Sequence, residues 1–263
     1  MTIKKIQFGL ELEGGFLRDK EFSYENGKLK KEIEDYQGKI ILGSDNTANI
    51  KESRSEYKDE YEFKSAHPIQ EDNIHQHIED INILFEKLDF KYDPAYCGLH
   101  IHFSPVDKKW DLNHVKRFLP NLFCALSVLV KFFKHRQQRN YSYSTRSYSN
   151  LMKFIFETLP QAVTIDELDE KYSTCIDNSE IKRRHIIGLF SSYDSFEIRC
   201  LPPERELLES LINIVMYFWH SQKNHSKKEL LNMSIFDLLS LTDQSDQIKY
   251  YKRYYYKWLK EGK

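Results

Sequence analysis

Three short motifs in this chain each place two ionisable residues two positions apart, with apolar residues between and beside them. The motifs are Glu11-Leu12-Glu13, His100-Ile101-His102 and Glu197-Ile198-Arg199. In a β-strand, residues i and i+2 point to the same face. Each motif, as a strand, therefore sends its polar pair one way and its apolar residues the other. Three such strands in one sheet would give a face with three carboxylates, two imidazoles and one guanidinium.

So many carboxylates in one place are costly unless cations neutralise them, and divalent metals are the obvious cations. These residue types suit phosphoryl transfer to a carboxylate. In that chemistry, glutamates and a histidine hold Mg²⁺ or Mn²⁺, the metals bridge nucleotide phosphates, and an arginine stabilises the transferring phosphoryl group. Each pair alone also has a plainer interpretation, as solvated glutamates, core histidines or a surface ion pair. The three pairs together favour a functional site.

The composition is typical of a folded protein with a substantial core. The chain has 263 residues, of which 40% are hydrophobic, and a net charge of -1. Since the charges are balanced, we expect neither nucleic acid nor a membrane surface as a partner. The most apolar run, 118–133, is also shorter than the ~18–20 residues of a membrane span. The four cysteines are scattered, without a CxxC pair, and no secretory signal is recognisable. These features predict a cytoplasmic protein with reduced thiols.

Hydrophobic periodicity predicts an alternating order of strands and helices. Strands are expected at residues 6–13, 39–42, 57–64 and 96–103, and as a hairpin at 185–189 and 195–200. Gly14 and Gly15 are expected to end the first strand. Helices are expected from Pro68 onward, at 112–135 with a kink at Pro120, at 150–158, at 204–222, at 226–240 and at 244–260. Turn residues predict a hairpin at 22–30, and polar residues predict a loop at 136–149. The pattern indicates an α+β fold, with an antiparallel sheet, flanking helices and a helical C-terminal part.

Two further segments carry residues that suggest chemistry. Residues 249–260 interleave Tyr and Trp with Lys and Arg, a composition that can stack on nucleic acid. We interpret this segment instead as an amphipathic terminal helix that docks by its aromatic face. His75-Gln76-His77 is predicted on a helix, where residues i and i+2 do not share a face. We therefore expect these two histidines at the surface.

The order and spacing of the motifs resemble the amidoligase family, carboxylate–amine ligases related to glutamine synthetase and glutamate–cysteine ligase. The matching residues are 8–13, 62–65, 97–102 and 196–199, and the resemblance covers roughly residues 3–203. It implies a glutamine-synthetase-like curved sheet as a catalytic core over residues 1–203, with residues 204–263 as a helical segment packed on it. It also implies ATP and Mg²⁺ (or Mn²⁺), which would join a carboxylate to an amine through an acyl phosphate.

The resemblance implies roles for individual residues. The implied metal ligands are Glu11, Glu13, Glu62, His100 and Glu197, divided between two ions. The implied catalytic residues are Glu197, Arg199, which would contact the transferring or acyl phosphate, and His102, which would lie near the nucleotide phosphates. The implied substrate- or phosphate-binding residues are Asp45, Arg139, Arg146 and Arg184. Ala66 and His67 interrupt the family's Ser-Pro pair, which leaves open whether Glu60 or Glu62 is the ligand.

Two other functions stay open at this point. One is a metal-dependent hydrolase that uses His100 and His102 and needs further ligands at later strands, where only His185 is predicted. The other is a non-catalytic binding protein with a degenerate ligase fold. A ligase would need ATP and Mg²⁺ together, with an amino-acid, peptide or protein carboxylate and an amine as partners. A homo-oligomer is compatible with the sequence.

Overall fold

The computed structural model describes residues 4–16, 40–44, 61–88, 90–92, 98–133, 145–175, 187–189, 194–201, 204–221, 223 and 225–261. Several predicted features lie outside these residues, namely the hairpin at 22–30, Asp45, Glu60, Arg139, Arg184 and His185. Glu62 and Arg146 lie in described backbone, but their side chains are outside the described part.

The structure is α+β, with one antiparallel sheet. Its strands are β1 (Ile6–Phe16), β2 (Ile40–Ser44), β3 (Tyr61–Ser65), β4 (Ile69–Gln70), β5 (Phe90–Lys91), β6 (Leu99–Pro105), β7 (Ile187–Gly188) and β8 (Phe196–Leu201). Six of the strands follow the order β2-β3-β1-β6-β8-β7, and the short strands β4 and β5 also pair with β1. The three motif-bearing strands β1, β6 and β8 are therefore neighbours at the centre of the sheet.

The first strand is longer than predicted. β1 continues through Gly14 and Gly15 to Phe16, where Gly15 pairs with Lys91 and Phe16 pairs with Phe90. The prediction that the two glycines end the strand was wrong, because β5 supplies backbone hydrogen-bond partners that local sequence does not reveal.

Eight α-helices are described: α1 (Ile74–Leu88), α2 (Leu112–Phe133), α3 (Thr145–Lys153), α4 (Ile165–Cys175), α5 (Arg205–His220), α6 (Lys227–Asn232), α7 (Ile235–Leu241) and α8 (Ser245–Glu261). The predicted loop at 136–149 was too long, since α3 begins at Thr145 and continues into a π-helical turn, Phe154–Thr158. The predicted helix at 226–240 is two helices. Ser234 and Asp237 form a capping box that starts α7 anew.

The apolar faces of the central strands lie in one buried cluster with the helices. Phe8, Ile101 and Ile198 are fully buried, as are residues of α2 and α5 in the same cluster. The indole Nε1 of Trp219 on α5 donates to the carbonyl oxygen of Lys4, 2.7 Å away, which ties this helix to the start of β1. The C-terminal helices are thus part of the core that supports the sheet. The division at residue 203 stays a prediction.

The docking of α8 follows its aromatic pattern. Tyr251 is fully buried, and its ring centroid lies 5.7 Å from that of Phe132 on α2, whereas Tyr256 is exposed. No helix in the described part of the chain has the length and apolarity needed to cross a membrane.

The expectation for the His75-Gln76-His77 segment was half right. His75 is exposed on α1, but His77 is buried and lies 2.9 Å (Nε2) from the Ser65 hydroxyl. The reason is the helical repeat, since Ile74, His77 and Ile78 share the buried face of α1.

Replacing Leu211, which is fully buried on α5, tests whether the C-terminal part and the sheet share one core. We expect Leu211→Ala to lower the free energy of unfolding by about 2–5 kcal/mol, because it removes buried methyl groups and leaves a cavity. The matched control is Val163→Ala at a 78% exposed position, for which we expect a change within about 0.5 kcal/mol. Urea unfolding measures both, and equal effects of the two variants would contradict the shared core.

Candidate functional site

Strand register brings the three polar motifs together. Glu11 of β1 is paired with His100 of β6, Gly9 with His102, and His102 in turn with Glu197 of β8. Because the polar residues alternate with buried apolar ones on each strand, their side chains emerge on the face opposite the core. The sequence prediction that these pairs share one face is met by the distances between their side chains.

Both histidines face the same two carboxylates. Nδ1 of His100 lies 3.1 Å from Glu11 Oε2 and 3.6 Å from Glu197 Oε1. Nε2 of His102 lies 3.6 Å from Glu11 Oε1 and 3.5 Å from Glu197 Oε1. The two imidazoles thus bracket a pair of carboxylates contributed by different strands.

Two permanent cations also contact these carboxylates. Nε of Arg199 lies 2.6 Å from Glu197 Oε1, and Nζ of Lys64 lies 3.4 Å from Glu11 Oε1. Lys64 was missed by the sequence reasoning. Its position two residues after Glu62 in a strand was the available signal, because that spacing places both residues on one face.

Glu13 is fixed by the backbone of the residue that precedes β6. Its carboxylate accepts a 2.7 Å hydrogen bond from the Gly98 amide and is almost fully buried. A Cβ at Gly98 would lie only 3.2 Å from Glu13 Oε2 and 3.3 Å from His100 Nε2. A side chain here would crowd both groups, and glycine allows their close approach, as at other tight strand sites. Glu62 is in register with Glu13 across β1 and β3.

The electrostatics of this cluster favour a charged pair at its centre. Burial alone would raise the pKa of the Glu11 carboxyl, but hydrogen bonds and charge from His100 and His102 hold that pKa well below its ordinary value. Burial alone would lower the pKa of His100, yet the hydrogen bond to Glu11 and the charge of Glu13 raise it overall. Glu11 is thus anionic, and His100 takes up a proton more readily than an ordinary histidine.

Ser195 orients the second histidine. Its hydroxyl lies 3.2 Å from Nδ1 of His102, and both residues are buried. A contact at Nδ1 directs Nε2 toward the two carboxylates, which is how neighbouring groups commonly fix an imidazole. Sequence reasoning missed Ser195, although it stands two residues before Glu197 and so belongs to the same face.

The cluster contains a donor set that fits a divalent cation. One ligand atom each from Glu11, His102 and Glu197 lie within 4.8 Å of one another. Two carboxylates and an imidazole suit Mg²⁺ or Mn²⁺. The sequence prediction placed His100 rather than His102 beside Glu11 and Glu197. In the structure both histidines contact both carboxylates, and the division of ligands between two ions stays a prediction.

A cavity of about 390 Å³ adjoins the cluster. Its lining includes Gly9, Glu11, Lys64, His102 and Ser104. The volume is within the roughly 300–1,000 Å³ that is usual for small-molecule sites.

The cavity owes its opening to an irregular strand edge. Glu11 pairs with Lys64 at the end of β3 and Phe8 pairs with Ile69 in β4, so residues 9–10 of β1 face the longer segment 65–68. The longer segment bulges away from β1, as bulges beside active sites commonly do. The Ser65 hydroxyl accepts a 3.2 Å hydrogen bond from the Leu10 amide and fixes the start of the bulge.

Comparison with known proteins agrees with the motifs. A family model described as "Putative amidoligase enzyme" matches residues 6–206, which is more than half of the chain. The matched segment contains all three polar motifs, the cavity and the first residues of α5. No curated protein matches this chain in a sequence comparison.

The pH dependence of stability tests the charged pair at the centre of the cluster. The lowered pKa of Glu11 adds stability above its ordinary value of 4.5, and this stability is lost as the pH falls toward the lowered pKa. The raised pKa of His100 adds stability below its ordinary value of 6.5, and this is lost as the pH rises through the raised pKa. Without added metal, we expect the unfolding free energy of Glu11→Gln to fall less steeply below pH 4.5 than that of the wild type.

The matched control for this measurement is Glu86→Gln on the exposed surface of α1. We expect its free energy of unfolding to fall below pH 4.5 as steeply as that of the wild type, along the same acid limb of the pH profile. Urea unfolding between pH 3 and 7 supplies the free energies, and identical acid limbs for Glu11→Gln and the wild type would contradict the charge assignment.

Proposed function

Because this chain belongs to the amidoligase family, we propose that it is an ATP- and Mg²⁺-dependent ligase that joins a carboxylate to an amine. We further propose that its antiparallel sheet is a curved, glutamine-synthetase-like one. The observation that carries the proposal is the convergence of Glu11, His100, His102, Glu197 and Arg199 from three adjacent strands. Metal-binding carboxylates beside an arginine are what phosphoryl transfer requires.

The two ends of the cluster suit different substrates. His102 contacts Glu11 and Glu197 and also lines the cavity, so nucleotide phosphates that enter the cavity would meet this imidazole and Lys64. Arg199 contacts Glu197, and its charge acts to lower the pKa of His100. We call this side of the cluster, with His100 and Arg199, the end away from the cavity. We assign that end to the acid substrate, whose carboxylate would lie beside the guanidinium.

The proposed reaction has two steps. A carboxylate oxygen of the acid attacks the γ-phosphorus of ATP, the bond to ADP breaks, and an acyl phosphate forms. The amine then attacks the acyl carbon, phosphate leaves, the nitrogen loses a proton to solvent, and an amide remains. Bound Mg²⁺ or Mn²⁺ would neutralise phosphate charge in both steps. The protein contributes orientation and preorganised charge, with Arg199 stabilising the transferring phosphoryl group.

The hydrolase alternative receives little support from the described part of the chain. A metal hydrolase of this kind would add histidine or aspartate ligands from later strands to His100 and His102. The later described histidines are His114, which packs against Trp219, His220, which contacts Glu71, and His225, whose Nδ1 lies 3.9 Å from Glu229 Oε1. None of them belongs to the cluster, whereas the ligase proposal uses all five converging residues.

Metal binding is the first test of the proposal. We expect the protein to bind Mn²⁺ and Glu197→Gln to bind it at least tenfold more weakly, because the variant loses an anionic ligand but keeps the side-chain volume. Electron paramagnetic resonance of free Mn²⁺ measures the affinity. Glu170→Gln, at an exposed position on α4, is the matched control and should bind as the wild type does. Equal affinities in all three proteins would exclude the proposed ligand.

ADP release tests the ligase reaction itself. With ATP, Mg²⁺ and pooled amino acids or acidic peptides, we expect substrate-stimulated ADP release. The product should have the mass of the acid plus the mass of the amine, minus one water. Removing a preorganised charge from the transition state costs about 10²–10³-fold in rate, so Arg199→Ala should lose most of the activity. Arg199→Lys should recover part of it, since lysine restores the charge without the planar guanidinium.

The same assay separates the alternatives. Turnover with metal but without ATP would indicate a hydrolase. No turnover from any pool, together with no ATP binding by calorimetry, would indicate a binding protein and refute the ligase proposal.

A further inference from the structure

The turn that follows β6 is held in place by the residues that precede β1. Nζ of Lys4 lies 2.8 Å from Asp107 Oδ2 and donates to the carbonyl oxygen of Lys109 at 2.8 Å. The amide of Val106 donates to the carbonyl oxygen of Lys5 at 3.0 Å. This turn forms one edge of the cavity beside the cluster.

Lys108 closes this turn and lines the cavity. Its backbone is left-handed, with φ 53°, and its amide donates to the carbonyl oxygen of Pro105 at 2.9 Å. A left-handed conformation is uncommon for a residue other than glycine. The turn therefore imposes this conformation and fixes where the lysine stands.

Asp107, the acid next to Lys108 in the sequence, already has other partners. Asp107 pairs with Lys4 and also accepts a hydrogen bond from the Lys109 amide at 3.0 Å, and these contacts lower the pKa of its carboxyl. Within the described residues, no carboxylate forms an ion pair with Lys108. The cavity therefore has a cation on this edge that the described part of the chain does not neutralise with an ion pair.

The rest of the cavity wall fits an anion as well. Lys64 lines the cavity and pairs with Glu11, while Ser65, Ser104 and Gln7 supply hydroxyl and amide groups. Gly9 lines it without a side chain. Glu11 is the one carboxylate among the described lining residues, and it belongs to the metal-binding cluster.

We propose that Lys108 is a binding residue for the phosphate chain of the nucleotide, an inference that rests on the proposed ligase function. A lysine is a flexible point charge that suits phosphate oxygens in several positions. The same cation would also attract a small carboxylic acid. The nucleotide is favoured because the cavity is lined by His102 and not by Arg199, to which the acid is assigned.

The test is direct binding, measured by calorimetry with Mg²⁺ present and no amine. The probes are ATP, ADP, adenosine and glutamate, and the proteins are the wild type, Lys108→Ala and Lys109→Ala. Lys109 is an exposed lysine in the same turn that does not line the cavity. Alanine at position 108 replaces one L-residue by another, so it adds no new backbone strain.

We expect Lys108→Ala to weaken ATP and ADP binding about tenfold, which is the usual effect of removing one charge-assisted hydrogen bond. Adenosine and glutamate binding should be unchanged, Lys109→Ala should behave as the wild type, and Lys108→Arg should restore the affinity for ATP. Raised salt should reduce the difference between the wild type and Lys108→Ala.

Several outcomes would overturn the inference. ATP bound equally well by the wild type and Lys108→Ala would leave the ligase proposal standing and refute the role of Lys108. Weaker glutamate binding with unchanged ATP binding would move the acid substrate into this cavity. A wild-type protein that binds no ATP would refute the ligase proposal itself, and the wild-type titration alone reveals that case.

Discussion

The site depends on holding three carboxylates, Glu11, Glu13 and Glu197, in close proximity on a largely buried sheet face. Mutual repulsion and lost hydration both oppose this arrangement. The fold offsets that cost with fixed partners. Arg199 contacts Glu197, Lys64 contacts Glu11, and the amide of Gly98 binds Glu13. Each of these partners lies on a neighbouring strand, directly before one, or two residues along the same strand, so the compensation depends on strand register.

The register in turn depends on the apolar face of the same strands. A shift by one residue would carry Phe8, Ile101 and Ile198 out of the core and bury the ionisable residues in their place. Hydrophobic burial against α2 and α5 therefore excludes the one-residue shifts that would bury the carboxylates and separate them from their cations. The polar face that carries the cluster is costly by itself. It is retained because burial of the apolar face in the core stabilises the same strands.

The sequence predicted the converging pairs because the strand period alone determines which residues share a face. It also predicted the antiparallel α+β fold and most of the helices. It did not predict the length of β1, which depends on pairing with β5, or the burial of His77. Nor did it assign a role to Lys64, which lies within the matched residues 62–65, or to Ser195, which stands two residues before Glu197. Their roles become visible only when β3 and β8 are placed beside β1 and β6.

Open space at the site is also set by register. Gly9 stands opposite His102, and a Cβ there would lie 3.5 Å from the Cβ of that histidine. That distance is an ordinary van der Waals contact, so a side chain at position 9 would be less crowded than one at Gly98. The missing side chain instead leaves room on the cavity wall, next to the segment 65–68 that bulges away. One glycine thus lets a carboxylate approach a strand, and the other leaves room for a ligand beside it. The same strand pairing brings the charges together at one level of the sheet and opens a cavity at the next, so a molecule in that cavity would lie directly against the cluster.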